Sequence, residues 1–449
     1  AVTHKLADFE MDSDEEYEER PATVPTGYST LKLHKAKIGT RLIFGGTKVA
    51  TTPISVPIAS SLKLLMPVVD KIWMDMFLNY TGQRRPKCPI LVTTDELLEQ
   101  VREINQKHQS GEWDVSKWKL VSLDFTQLYP SIPILDLKRV LRELIDFLFE
   151  RQRVEMNKSR ETKIKTLFIC CPKYPQKGEA KWEIEKVEGG NEVYLLPDEL
   201  ADHIDKLLDN SYCSYGGDLW KIIRGFQTGT NCGPWMANLY LVYYELKFVH
   251  RKLKIWNQIS RGLQIFLINY HRYIDDIFGT VGDDFDYQEV LYFDDESDGI
   301  YPKRLKNLDG STVENPFQVN GEALTSADYL DVTLTVTNHG IVYTPYNKRE
   351  HMKVNNRKLS EFRNFPHCDS QLSWVCKLGV LNSQMFRFNN RSSTQKGFIH
   401  ETVFLAKKML RENYPLGGVL RMIMKYRRWR GGEMGEWPKV QRVLRAKIL

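Results

Sequence analysis

Asp275 and Asp276 stand side by side in FLINYHRYIDDIFGTV, residues 266–281, between two runs of β-branched and aromatic residues. Leu263 to Ile274 and Ile277 to Val281 read as strands joined by a tight turn, with the acidic pair at or beside it. Neighbouring carboxylates repel each other and add nothing to packing. Their use is therefore polar: solvated turn formers, as acidic dipeptides in hairpins commonly are, or ligands for a cation. A third carboxylate lies in a similar setting far upstream. In WKLVSLDFTQLYPSIP, residues 118–133, Lys119 to Phe125 is strand-like and Asp124 stands at its end, before the chain turns into a helix opened by Asp136. Alone, a strand-end Asp reads as a cap or turn former. Set beside the acidic hairpin, it completes a group of hard oxygen donors of the kind divalent cations prefer.

The elements that must position these groups lie on either side. Ile54 to Tyr80 carries Leu62, Leu65, Val69, Ile72 and Met76 at helical spacing. TTDELLEQVREI follows, with Thr93 and Glu96 at capping-box spacing. In the helix opened by Asp136, Leu137, Val140, Leu141, Leu144, Ile145 and Leu148 make one apolar stripe, which is core. Residues 165–196 read as a hairpin turning at Gly189-Gly190, then a helix from Pro197 with Asp198 and Glu199 in its first turn. GFQTGTNCGPWMANLYLVYYELKF, residues 225–248, places a Gly-rich loop before a long apolar helix, where a backbone can approach a flat partner closely. YLDVTLTVTNHGIVYTPYNKRE predicts two strands turning at Asn338-His339-Gly340, and the chain beyond His351 is mostly helical.

At 449 residues, 42% hydrophobic and 27% charged, the chain has the composition of an ordinary globular protein with room for two or three domains. Its net charge is only +6, but the distribution is uneven: DFEMDSDEEYEER, residues 8–20, reads as a disordered acidic tail, while the carboxy-terminal part is strongly basic. That asymmetry points to nucleic acid. Lys32, Lys35, Lys37 and Arg41 punctuate the hairpin-like YSTLKLHKAKIGTRLIFGG, where they reach phosphates or stay solvated. Seven scattered cysteines without C-x-x-C spacing indicate neither a disulfide framework nor a zinc knuckle and fit a reducing compartment. No run near 20 apolar residues stands out, so no membrane span is expected, and a start at Ala1 rather than Met reads as processing or trimming.

Taken in order, these segments resemble the motifs of reverse transcriptases. An Asp with an aromatic five residues on is matched by Asp124 and Tyr129. The glycine loop is matched by Gly229 and Pro234, and the Tyr-x-Asp-Asp box by Tyr273, Ile274, Asp275 and Asp276. The wording LKLHK, TRLIF, GTNCGP, IYPKRLK and YLDVTLTV before VYTPYNK is similar to the Penelope-like retroelement enzymes, over roughly residues 28 to 410. There are departures: Thr228 stands where Gln usually precedes the loop glycine, with Gln227 one earlier, and Gly233 replaces a small Ser or Ala. No RNase H, integrase or GIY-YIG nuclease signature is evident.

The resemblance implies an α+β right-hand polymerase fold, with an antiparallel-sheet palm (118–157 and 223–343), mixed fingers (27–117 and 158–222), a mainly helical thumb (344–449) and an acidic tail (1–26). It implies an RNA-directed DNA polymerase of a mobile element that adds dNTPs to a primer 3′-OH with two Mg²⁺ ions, Mn²⁺ being an alternative. RNA template and DNA primer are the implied partners, with an endonuclease supplied in trans and an intracellular, nuclear location. Asp124 and Asp275 would be shared ligands, with Asp276 as a third and the Phe125 carbonyl on the nucleotide-side ion. Lys32 and Arg41 would hold the triphosphate, and Tyr129 and Gly229 the nucleotide. Lys303 or Lys306 would protonate pyrophosphate. Tyr343, Tyr346 and Lys348 would form the primer grip, and Lys425, Arg427 and Arg428 would meet the duplex. An RNA-directed RNA polymerase usually carries Asp where Tyr129 stands. A non-catalytic ribonucleoprotein scaffold has no need to maintain three repelling carboxylates.

Overall fold

A computed structural model describes residues 24–32, 39–44, 50–82, 88–172, 178–187, 192–215, 218–227, 229–282, 285–294, 297–306, 311–315, 319–347, 353–354, 357–358, 365–429 and 437–448. The acidic amino-terminal segment, Gly189-Gly190, Thr228 and Lys348 lie outside them. The chain opens with a hairpin, β1 (Gly27–Lys32) and β2 (Gly39–Phe44), followed by α1 (Thr52–Thr81) and α2 (Thr94–Gln109). Thr93 and Glu96 form the anticipated capping box on α2. Next come β3 (Lys119–Phe125), the one-turn α3 (Leu128–Ser131) and α4 (Ile134–Asn157). Strands β4 (Phe168–Pro172), β5 (Lys181–Glu183) and β6 (Glu192–Leu195) form a small antiparallel sheet before α5 (Pro197–Asp209). The hairpin β7 (Tyr212–Tyr215) and β8 (Asp218–Lys221) leads through a loop into α6 (Gly233–Lys254) and α7 (Arg261–Asn269).

The central sheet follows. Strands β9 (His271–Tyr273) and β10 (Asp276–Val281) form a hairpin. Beyond four short strands, β11 (Tyr292–Phe293), β12 (Tyr301–Pro302), β13 (Arg304–Lys306) and β14 (Thr312–Glu314), comes β15 (Val319–Leu324). Strands β15, β3, β10 and β9 pair antiparallel in that order. A second antiparallel sheet, β16 (Ser326–Tyr329), β17 (Val332–Thr337) and β18 (Gly340–Pro345), precedes the helices α8 (Trp374–Asn390), α9 (Gln395–Arg411), α10 (Leu416–Trp429) and α11 (Trp437–Ile448).

Period-two alternation on β3 explains the layering. Val121, Leu123 and Phe125 face the large core, built with α1, α4, α5 and α6, whereas Leu120 on the opposite face joins a second core with α2 and β16–β18. The second core covers only part of that face, and Asp124 at the strand end is exposed. A third core gathers α8–α11 around Leu381, Met385, Phe398, Met409 and Ile423.

Three expectations change. Residues 263–269 are helical rather than extended, because Ser260 caps α7 and Leu263, Phe266 and Leu267 are buried at helical spacing. Helix α4 starts at Ile134, and Asp136, instead of opening it, is a buried acceptor for the Tyr240 and Tyr244 hydroxyls at 2.7 and 2.6 Å. Contrary to the reading of no spanning segment, α1 is long and apolar enough to cross a membrane by length and composition. In this fold its Leu62, Leu65, Val69, Ile72 and Trp73 pack in the large core.

Helix α7 packs on β10 where Gly279 leaves room: a Cβ there would sit 3.1 Å from the Phe266 ring. Gly279→Val should therefore lower stability by about 1–3 kcal/mol through overpacking. Urea denaturation monitored by tryptophan fluorescence measures it.

Candidate active site

Backbone pairing sets the site. In the β3–β10 ladder Asp276 is opposite Asp124, so both side chains rise from the same face at the same end of the sheet. Tyr273 pairs with Asp276, which leaves Ile274 and Asp275 as a two-residue hairpin turn. Ile274 has φ 55°, a left-handed conformation that costs a β-branched residue about 1–3 kcal/mol. Such strain persists only where neighbours over-determine it, and three contacts do so here. The Phe125 amide donates to the Asp275 carbonyl at 3.1 Å. The Tyr329 hydroxyl, from β16, donates to the Asp276 carbonyl at 2.9 Å. The Arg272 guanidinium donates to the Ile274 carbonyl at 2.9 Å.

Arg272 is fully buried against Glu245 of α6, with Nε 2.6 Å from Oε1. Burial opposes its charge, and the Glu245 carboxylate more than offsets this, so its pKa lies above the ordinary arginine value. The Tyr270 and Tyr301 hydroxyls, each 2.8 Å from Glu245 Oε1, complete the cluster. Burial also pushes the Tyr329 phenol well above its ordinary pKa, with Asp276 adding to the effect, so it stays a donor.

The donor set fits divalent cations. Asp124 is exposed and Asp275 and Asp276 are half-buried, so all three carboxylates are reachable from solvent. Phe125 is buried against Tyr301, ring centroids 5.2 Å apart. Among the described residues, the one trio of His, Cys, Asp or Glu with donor atoms all within 4.8 Å is His367, Cys368 and Asp369, on the turn before α8. The donor atoms of Asp124, Asp275 and Asp276 do not form such a trio.

Tyr129 lies on α3, half-buried, its ring edge-on to Phe226 with centroids 5.3 Å apart. The loop before α6 is locked to this turn by the Gly225 amide donating to Ile132 and the Phe226 amide to Tyr129, at 2.8 and 3.1 Å. At Gly225, φ is +68° and a Cβ would lie 2.3 Å from the Tyr129 carbonyl oxygen, so the glycine that this contact requires is Gly225 rather than Gly229. Gly229 is half-buried in the same loop. Gln227 is buried, its amide donating to the Tyr212 carbonyl at 2.7 Å, a structural use.

Other anticipated site residues are distributed differently. Lys32 and Arg41 lie on the β1–β2 hairpin, and Lys306 on β13. Lys303 pairs with Asp294 at 2.5 Å. Tyr343 is a buried ring of the second core, whereas Tyr346 is half-buried at the end of β18. Lys425 is exposed on α10, the helix that also carries Arg427 and Arg428.

No family model and no curated protein matches the sequence. Among solved structures, telomerase from Candida albicans, determined with a fragment of telomeric RNA, aligns over 95% of this chain at 12% identity with a TM-score of 0.52. The chain spans 62% of that protein's length. Apo telomerase from Candida tropicalis aligns over 96% of this chain at 11% identity with a TM-score of 0.43, and the BmCPV RNA-dependent RNA polymerase over 85% at 10% with 0.35. Of these three the first exceeds 0.5, and at its low identity it shows a shared fold: this chain has a mixed α/β fold like that of a telomerase.

Replacing one donor oxygen set tests the site. Changes to groups that merely orient metal ligands cost about 10–100-fold, so Asp124→Asn or Asp275→Asn, which removes a donor oxygen itself, should weaken Mn²⁺ binding by more than ~100-fold. Electron paramagnetic resonance of the free ion, with thermal melts to confirm an intact fold, checks it.

Proposed function

We propose that this chain is an RNA-directed DNA polymerase that extends a DNA primer on an RNA template, and that it derives from a Penelope-like mobile element. The observation that carries the reading is the placement of Asp124, Asp275 and Asp276 together at the open end of an antiparallel sheet, on a strained hairpin turn. The telomerase-like fold and the order of the sequence motifs support it. In this reading residues 118–157 and 223–343 are the palm, 27–117 and 158–222 the fingers, and 344–449 the thumb, whose separate hydrophobic core suits an independent element.

The reaction joins the primer 3′-oxygen to the α-phosphorus of a dNTP and breaks the bond to pyrophosphate. Two Mg²⁺ ions, when bound, lower the pKa of the attacking hydroxyl and neutralise the leaving group. Asp124 and Asp275 hold them, with Asp276 and the Phe125 carbonyl as further donors. Lys32 and Arg41 of the β1–β2 hairpin bind the triphosphate, and Gly229 lines the nucleotide. The Tyr129 ring, braced by Phe226 and the Gly225 turn, forms the floor under the sugar and leaves no room for a 2′-hydroxyl.

Primer extension on RNA and DNA templates, with dNTPs or NTPs, tests the reading; preference for NTPs by the wild type would show an RNA polymerase, and no extension at all a scaffold. Tyr129→Val should raise the rNTP to dNTP ratio of kcat/KM by at least ~10-fold, as expected when an excluded group gains space, while the melting temperature stays close to wild type. A lower melting temperature with an unchanged ratio would make Tyr129 a packing residue.

On α10, Val419, Ile423 and Tyr426 are buried while Arg421 and Lys425, one turn apart, are exposed on the other side. In this reading the cationic face meets the template–primer duplex. Neutralising Arg421 and Lys425 should reduce the slope of log K against log salt by about 0.7–0.9 per lost phosphate contact, read from binding titrations across a salt series.

A further inference from the structure

Arg272 immediately precedes the hairpin tyrosine, and its guanidinium makes five hydrogen bonds without any solvent exposure. Four fix it to α6: to Glu245 Oε1 and Oε2 at 2.6 and 3.2 Å, and to the Asn238 side-chain and backbone oxygens at 2.7 and 3.1 Å. The fifth reaches forward to the Ile274 carbonyl at 2.9 Å. The Arg272 backbone is pinned as well, its amide donating to Pro89 at 2.7 Å and its carbonyl accepting from Leu91 at 2.8 Å.

This placement has a consequence for Asp275. The Ile274 carbonyl belongs to the peptide plane that joins Ile274 to Asp275, so a hydrogen bond to that oxygen fixes the plane's tilt and with it the direction in which the Asp275 side chain leaves the turn. Without it, a β-branched residue at positive φ has an incentive to relax. The planar guanidinium can face Glu245, Asn238 and Ile274 at once, whereas a lysine ammonium keeps the charge without the fork.

We propose that Arg272 is a positioning residue: anchored on α6 by Glu245 and Asn238, it holds the Ile274 carbonyl and so orients the Asp275 carboxylate for divalent-cation binding. The inference rests on the metal reading of the aspartates given above. It assigns Arg272 no contact with nucleotide or primer; Arg272 acts through the turn.

The test uses the full chain, with Mn²⁺ alone as the probe, counted by electron paramagnetic resonance of the free ion. Arg272→Lys should weaken Mn²⁺ binding by roughly tenfold, the size of effect typical of groups that orient a metal ligand, and should raise the Mg²⁺ concentration for half-maximal extension by a similar factor. Asn238→Ala, which removes one anchor and keeps the charge pair, should shift both in the same direction by less. Met385→Ala, which opens the separate third core, should lower the melting temperature and leave Mn²⁺ affinity unchanged. Wild-type Mn²⁺ affinity in folded Arg272→Lys and Asn238→Ala, or equal weakening in Met385→Ala, overturns the proposal. Should Arg272→Lys fail to fold, Asn238→Ala decides alone. No Mn²⁺ binding by the wild type overturns the metal reading itself, a failure distinct from that of Arg272.

Discussion

The antiparallel ladder between β3 and β10 is the constraint on which the rest depends. It sets Asp124 opposite Asp276, two like charges that would otherwise move apart, and it does so with backbone hydrogen bonds that do not depend on the carboxylates. A register slip of one residue would send Asp276 to the face of Ile277 and Val281, into the large core. The apolar alternation of both strands therefore specifies the carboxylate geometry as strictly as it specifies the core.

The ladder alone would leave the turn free to relax, and the surrounding elements each remove part of that freedom. Helix α6 contributes Glu245 and Asn238, which hold Arg272; β16 contributes the Tyr329 hydroxyl; β3 contributes the Phe125 amide. The buried Arg272–Glu245 pair carries a heavy desolvation cost, and removing either partner would cost about 3–5 kcal/mol by stranding the other charge. An apolar pair would fill the same space with less difficulty, but it could not hold the Ile274 carbonyl. On the opposite side the Gly225 turn fastens the loop before α6 to α3, so the Tyr129 ring has a fixed relation to the end of β3.

Much of this was legible from residue types. Adjacent aspartates between β-prone runs indicated the hairpin, and the stripe from Leu137 to Leu148 indicated a core helix. Residues 263–269 were misleading because a short apolar run rich in Leu, Ile and Phe has no decisive period, although Ser260 offered a cap signal. The motif match singles out Gly229, and the close approach of Tyr129 that requires a glycine at Gly225 leaves no mark in the sequence. Arg272 looks like a surface cation in a strand; the signal that could have found its partner is Glu245, a lone acid inside an apolar helix. Tyr343 illustrates the reverse case, since a motif match says nothing of which strand face its ring occupies.

Anomalous diffraction from crystals grown with Mn²⁺, an RNA template, a DNA primer and a non-hydrolysable dNTP tests the central claim most directly. The account predicts two Mn²⁺ peaks about 3.5–4 Å apart between Asp124 and Asp275, in contact with the triphosphate. Peaks elsewhere, for instance at His367, Cys368 and Asp369, with none at the hairpin would contradict it.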